Sequence, residues 1–248
     1  MLRSAPLIAT PAILVTALIG AITCDTLRAT AGVDGPQPSS FAILARDALT
    51  GEYGVAAASH APLIGMNLEF LDYEAGAVVV LGGPMIDLNE RTLTALKAGL
   101  APAKATAVGL AADEDKESRQ VMVLAPTGSA AFTGKELPTY AGHRIGDTYL
   151  VAGNRLVGEE VLEEMERRFE EQEGPLADRL MAALEAGDEV GGEEGGVHSA
   201  ALLVVGPGNP FATRDRLVDL RIDFVTEDAV VALARLQAQV DSVYGVVR

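Results

Sequence analysis

Cysteine is almost absent from this 248-residue chain, where Cys24 stands alone. A lone cysteine forms no internal disulfide, and a cysteine-based metal site is excluded. Histidine is scarce too. His60, His143 and His198 are far apart in sequence and show no ligand spacing such as H-x-x-x-H, so no metal or other cofactor is implied. Tryptophan is missing, and the apolar content rests on Ala, Val and Leu. Positive charge is short: 19 Lys and Arg face 35 Asp and Glu, a net charge of −16. That balance argues against nucleic acid, whose phosphates need basic residues, and against anionic lipid. It describes a self-repelling surface; a salty habitat or a cationic substrate is the other reading. No internal repeat is visible, and the length suits one large domain or two small ones.

Residues 1–31 differ in composition from the rest. Arg3 precedes an apolar run from Pro6 to Thr23, and Ala29-Thr30-Ala31 supplies small residues for cleavage. This is the pattern of a secretory signal peptide, so the chain is expected to be exported, periplasmic or extracellular, with no stable membrane span after processing. The alternative is a cut before Cys24 that yields a lipoprotein, but Ala21-Ile22-Thr23 lacks the Leu expected there. Residues 32–39, rich in Gly and Pro, read as a linker. A single domain over 40–248 follows.

That domain opens on Ser39–Ser59, two short apolar runs around a polar turn at Asp47–Glu52, and the pattern predicts a hairpin. His60–Leu71 reads as a loop. Asp72–Leu81 reads as a strand, with the apolar run Ala75–Leu81, ending in Gly82-Gly83-Pro84. Helical periodicity marks Leu88–Leu100, a short piece at Thr106–Ala112, and Glu159–Gly187 with a break at Gly174-Pro175. A hairpin is expected over Arg119–Thr133, a polar loop at Tyr140–Arg144, and strands at Tyr149–Ala152, Ser199–Val205 and Leu217–Phe224. Glu227–Val243 closes the chain as a helix. Strands at both ends with helices between them suggest a mixed α/β layered domain of antiparallel sheets.

Several of these stretches carry a resemblance. Ser40-Phe41-Ala42-Ile43-Leu44-Ala45-Arg46-Asp47 followed by Thr50-Gly51-Glu52 and Gly54-Val55-Ala56 resembles the opening of the DUF1028 family. The likeness continues through Arg119-Gln120-Val121, Ala131–Gly134, Ala141-Gly142-His143, Ala152-Gly153-Asn154, His198–Leu202 and Arg216–Arg221, and spans roughly Ser40 to Tyr244. The resemblance implies the N-terminal-nucleophile (Ntn) hydrolase superfamily and its four-layer αββα sandwich, an α+β fold of two antiparallel sheets.

In such an enzyme Ser40 would be the nucleophile. Its own freed α-amine, with a pKa of about 7.7–8.0, would take the hydroxyl proton. Asn154 and a backbone N–H at Gly82 or Gly83 would hold the oxyanion. Arg46, Asp47 and Ser59, on the same hairpin, would orient the nucleophile. His143, His198, Ser199 and Asp219 are the expected substrate-binding residues. Simpler roles stand beside these: a loop histidine at 143, a strand-edge hydrogen bond at Ser199, and cross-strand ion pairs at Asp219. The substrate would be a small amide, a peptide or a cell-wall fragment, and assembly into a homo-oligomer is open. Eight residues remain before Ser40 after a cut at Ala31, so a second cut is required. The glycine-rich loop 188–197 lacks the family's arginines, with Glu193 for the usual Asp and His198 for Gln. These departures support a second reading, a catalytically degenerate binding or scaffold domain.

Overall fold

The computed structural model describes residues 39–83, 85–207 and 215–244. The expected signal peptide, Cys24 and the linker up to residue 38 lie outside the described residues. Two strands come first, β1 (Ser40–Arg46) and β2 (Tyr53–Ser59), and they pair as the expected hairpin. Neither alternates apolar with polar, because both faces of their sheet are covered. Phe41, Ile43 and Ala45 enter one core, and Ala42 and Leu44 enter another. Asp47 makes the turn: its Oδ1 accepts the Leu49 and Thr50 N–H groups at 2.8 and 3.0 Å.

A 3-10 turn (Ile64–Leu68) and the short strand β3 (Leu71–Asp72) follow, then β4 (Gly76–Leu81). Helices α1 (Ile86–Lys97) and α2 (Pro102–Leu110) come next; Pro102 occupies the first helical turn of α2, where its missing N–H costs nothing. Strands β5 (Gln120–Ala125), β6 (Gly128–Thr133), β7 (Tyr140–Ile145) and β8 (Tyr149–Leu156) run in succession. Helices α3 (Glu160–Glu171) and α4 (Leu176–Glu189) flank the Gly174-Pro175 break. Strands β9 (Ser199–Val205) and β10 (Arg216–Ile222) and helix α5 (Ala229–Tyr244) complete the described chain.

All strand pairs are antiparallel. One sheet has the order β10-β9-β2-β1-β8-β7 and the other β3-β4-β5-β6. Three cores separate four layers. Ala42, Leu44, Val55, Ala57, Val79, Met122 and Leu150 fill the space between the sheets. Phe41, Met165, Phe169, Leu180, Leu202 and Leu233 pack α3, α4 and α5 on the outer face of the large sheet. Val78, Val80, Leu88, Leu96, Val121 and Val123 pack α1 and α2 on the small one. The result is the αββα sandwich. Among the described residues no helix is long and apolar enough to cross a membrane.

Two expectations are corrected. Tyr140–Arg144 is strand rather than loop: it forms the half-buried β7 at a sheet edge, which needs no apolar run. β8 continues past Ala152 to Leu156 through Arg155, whose φ of +52° marks a bulge opposite Tyr140 and Ala141.

Candidate active site

Register builds the site. Ser40 lies opposite Ser59 on one side and Asn154 on the other, and Ser59 lies opposite Ser199. Ser199, Ser59, Ser40 and Asn154 therefore form one row across β9, β2, β1 and β8. Each shares its face with residues of the inter-sheet core two positions along its strand, namely Ala201, Ala57, Ala42 and Ala152. Four polar side chains thus cap one end of an otherwise apolar layer. All four are buried.

Ser40 is still joined to Ser39, and the Ser39 carbonyl is the focus of the site. It accepts the Ser40 hydroxyl at 2.6 Å and the Ser59 hydroxyl at 2.5 Å, while the two Oγ atoms are 3.1 Å apart. Ser59 Oγ also accepts the Ala61 N–H at 3.1 Å. Ser199 Oγ donates to Ala61 O at 2.6 Å and accepts the Ile64 N–H at 3.2 Å. The two serines outside β1 thereby pin the 61–64 loop against the site. Ser199→Ala strands a half-buried carbonyl and a buried amide together. It is expected to cost about 1–3 kcal/mol of stability, read as a lowered denaturant midpoint at unchanged m.

Asn154 is fully buried, and its Nδ2 donates to Gln120 Oε1 at 2.9 Å. Gln120, at the start of β5, donates in turn to Gly153 O at 2.9 Å and Gly142 O at 2.8 Å. One amide side chain from the small sheet therefore fixes the orientation of Asn154 on the large one. The second Asn154 amide hydrogen is not taken by Gln120.

After Leu81, which lies opposite Gln120, the chain turns through Gly82 and Gly83 at φ +96° and +120°. A Cβ on Gly82 would stand 2.3 Å from Ser118 O, so no other residue fits there. Arg119, paired with Asp113 at 3.2 Å, donates to Gly82 O at 2.5 Å. In a trans peptide the next N–H points the opposite way, so the Gly83 N–H is directed away from Arg119. Gly82, Gly83, Ser40 and Ser59 all line one cavity of about 270 Å³. A larger space of about 470 Å³ lies at the other end of the small sheet, among Asp72, Lys97 and Thr127, and contains none of the expected site residues.

Glu193 is the least expected member. It is 2 % exposed, and neither carboxyl oxygen has a hydrogen bond of normal geometry. Burial pushes the carboxyl up to about 8, although the Ser39 hydroxyl, the His60 amide and Arg155 all favour the charged form. Glu193 bridges Leu156. β7 already pairs with the other side of Leu156, so residues 192–194 lie on the β1 side, in line with β1 and just ahead of Ser40.

The remaining expected residues fall elsewhere. Arg46 ends β1 and Asp47 follows it, six and seven residues from Ser40 and thus about 20 Å away along an extended strand. Arg46 stacks on Tyr53, and Asp47 holds its turn and faces Arg179 at 3.6 Å. Nearness in sequence suggested a role in orienting the nucleophile that an extended strand does not permit. Asp219 is on the edge strand β10, ion-paired with Arg216 and with Arg221 at 2.8 Å. His143 sits on β7 with Nδ1 2.8 Å from Thr133 Oγ1, and burial lowers its pKa. His198 stacks on His60, with centroids 4.9 Å apart, and its Nδ1 lies 3.0 Å from Val225 O. Among the described residues no three His, Cys, Asp or Glu converge to hold a metal ion.

Gln120 and Glu193 were not among the expected site residues. Gln120 had a signal, since it is the one polar residue of an otherwise apolar β5. Glu193 had its glycine neighbours and the family's usual Asp at its position.

A family model described as a family of unknown function, DUF1028, matches residues 40–233. The crystal structure of protein SPO2555 from Silicibacter pomeroyi, assigned to that family, is similar with a TM-score of 0.75. The two are 30% identical, over 84% of this chain and 91% of that one. No curated protein matches the chain.

Proposed function

The chain belongs to the DUF1028 family, and from that premise we propose that it is an exported amide-bond hydrolase that first cuts itself before Ser40. The observation that carries this reading is the convergence of the Ser40 and Ser59 hydroxyls on the Ser39 carbonyl oxygen, at 2.6 and 2.5 Å. The nucleophile is beside the carbonyl it attacks, and a second hydroxyl stands ready for the developing oxyanion. In the self-cleavage, Ser40 Oγ bonds to the Ser39 carbonyl carbon, the Ser39–Ser40 C–N bond breaks, and the hydroxyl proton passes to the nitrogen. Water then hydrolyses the ester. Ser39 leaves as a carboxylate, and Ser40 regains its hydroxyl beside a free α-amine.

Catalysis on a substrate repeats the chemistry. The α-amine takes the Ser40 proton, the hydroxyl attacks a small amide or peptide, and the second Asn154 amide hydrogen and the Gly83 N–H hold the oxyanion. Ser59 rather than Arg46 or Asp47 orients the hydroxyl. The test is intact mass and terminal sequencing of the purified full chain over time. A product beginning at Ser40 is expected. A chain that stays joined at 39–40 would favour the second reading, a binding domain, which the burial of Ser39 to 1 % also favours.

A further inference from the structure

We propose that the cavity beside Ser40 binds a linear, uncharged aliphatic acyl group of about six to ten carbons, which makes medium-chain N-acyl amides the substrate class. The cleavage half of this proposal rests on the hydrolase reading; the binding half does not.

Among the described residues the cavity wall contains no charged side chain. Its polar side chains are Ser40 and Ser59, beside the Gly82-Gly83 turn, and Asn67, whose buried Oδ1 has no partner and could take the N–H of a bound amide; the remaining wall is mostly aliphatic. Three large apolar residues of that wall, Leu63, Met66 and Ile86, are 44, 48 and 45 % exposed. Single exposed apolar residues are ordinary, but three around one opening next to a buried hydroxyl row are a ligand-sized patch.

The wall is also built at a cost. Leu63 adopts φ 67°, ψ 30°, the left-handed region that a Leu side chain disfavours. It is held there by its N–H to Asp223 O at 2.9 Å and its O to the Met66 N–H at 3.0 Å. Ser59 and Ser199 fix the same loop at Ala61 and Ile64. A fixed, strained loop that turns Leu63 and Met66 to solvent gains nothing in the unliganded chain. An aliphatic chain laid between it and Ile86 covers what is exposed.

Size sets the length. At about 270 Å³ the cavity lies at the small end of ligand pockets, which run to about 300–1,000 Å³, and so suits one unbranched chain of medium length. The protein's net charge of −16 disfavours a free carboxylate, and a neutral acyl amide has none.

The test uses the full chain carrying Ser40→Ala, to prevent turnover, and the neutral series N-acetyl- to N-dodecanoyl-glycinamide, with binding followed by calorimetry. Affinity is expected to rise two- to fourfold per methylene up to about eight or ten carbons and then level off. Met66→Asp and Ile86→Asp, at exposed positions, are expected to remain folded and to lose at least tenfold for the octanoyl probe. Absence of binding, binding independent of length, or a length effect that survives both variants overturns the proposal. The wild-type chain separates the two ideas. Octanoyl binding with no cleavage of any amide, and an intact 39–40 bond, sinks the hydrolase reading alone. Self-cleavage with equal turnover of acetyl and octanoyl amides sinks the acyl-chain assignment alone.

Discussion

A Ser40→Ala chain is expected to keep its 39–40 bond indefinitely under conditions in which the wild-type chain is cut. The substitution removes the only oxygen placed to attack the Ser39 carbonyl from within the same residue, and what remains is background peptide hydrolysis. The fold should survive. The Ser39 carbonyl keeps its bond from Ser59 at 2.5 Å, so the loss is one hydrogen bond, about 1 kcal/mol. Ser59→Ala separates the two hydroxyls. It leaves the nucleophile and removes an oxyanion donor, so cleavage should slow by about 10²–10³-fold without stopping. Mass spectrometry of each chain over hours to days provides the rates, and thermal unfolding verifies that each is folded. Cleavage of the Ser40→Ala chain at the same rate as wild type would assign the cut to a contaminating protease.

Glu193→Gln should alter how stability depends on pH. The folded-state pKa, about 8, lies above the 4.5 of an unperturbed Glu. Between those values the folded chain holds a proton that the unfolded chain has released, so the wild type loses stability as pH rises through that window and levels off above it. The slope is about 1.4 kcal/mol per pH unit for one proton. Gln is close in shape to the protonated acid and does not titrate. The two chains should therefore be alike near pH 4.5–5 and diverge steadily, with the variant the more stable, until about pH 8. Asp188, pushed up to about 7 by burial and by Asp228, slopes the same way but remains in both chains. The measurement is the difference in Tm or denaturant midpoint between the two chains across pH 5 to 9. A constant difference would mean that Glu193 is already ionised when folded.

The layers were legible because their signals are local. Phe41–Ala45 and Tyr53–Ala58 are apolar on both faces, as strands buried on both faces must be. Val161, Leu162, Met165 and Phe169 recur at helical spacing and enter the outer core of the large sheet. β7 was missed because Tyr-Ala-Gly-His-Arg-Ile at a sheet edge is only half-buried and owes its strand to β8, a partner the local pattern does not reveal. The site was legible in composition but not in arrangement. Ser40, Ser59, Ser199 and Asn154 were each singled out separately. That they form one row depends on cross-strand register, which no short stretch contains. Arg46 and Asp47 erred the other way, close along the chain yet separated by the length of a strand. Glu193 was visible as an acid in a glycine-rich loop, where the family usually has Asp; its burial depends on where β8 ends.

The segment 192–194 occupies the line ahead of β1, so a strand-like continuation of β1 beyond Ser39 would collide with it. Among the described residues, the line beside β8 ahead of Ser39 is therefore already taken. Were the bond before Ser40 cut as proposed, the released end would have no strand line beside β8 to return to, and its concentration at the site would fall from that of a tethered group to that of a free peptide. The proposed cut would then work as a ratchet: rejoining would be opposed by dilution, and a single turnover would leave the matured terminus in place.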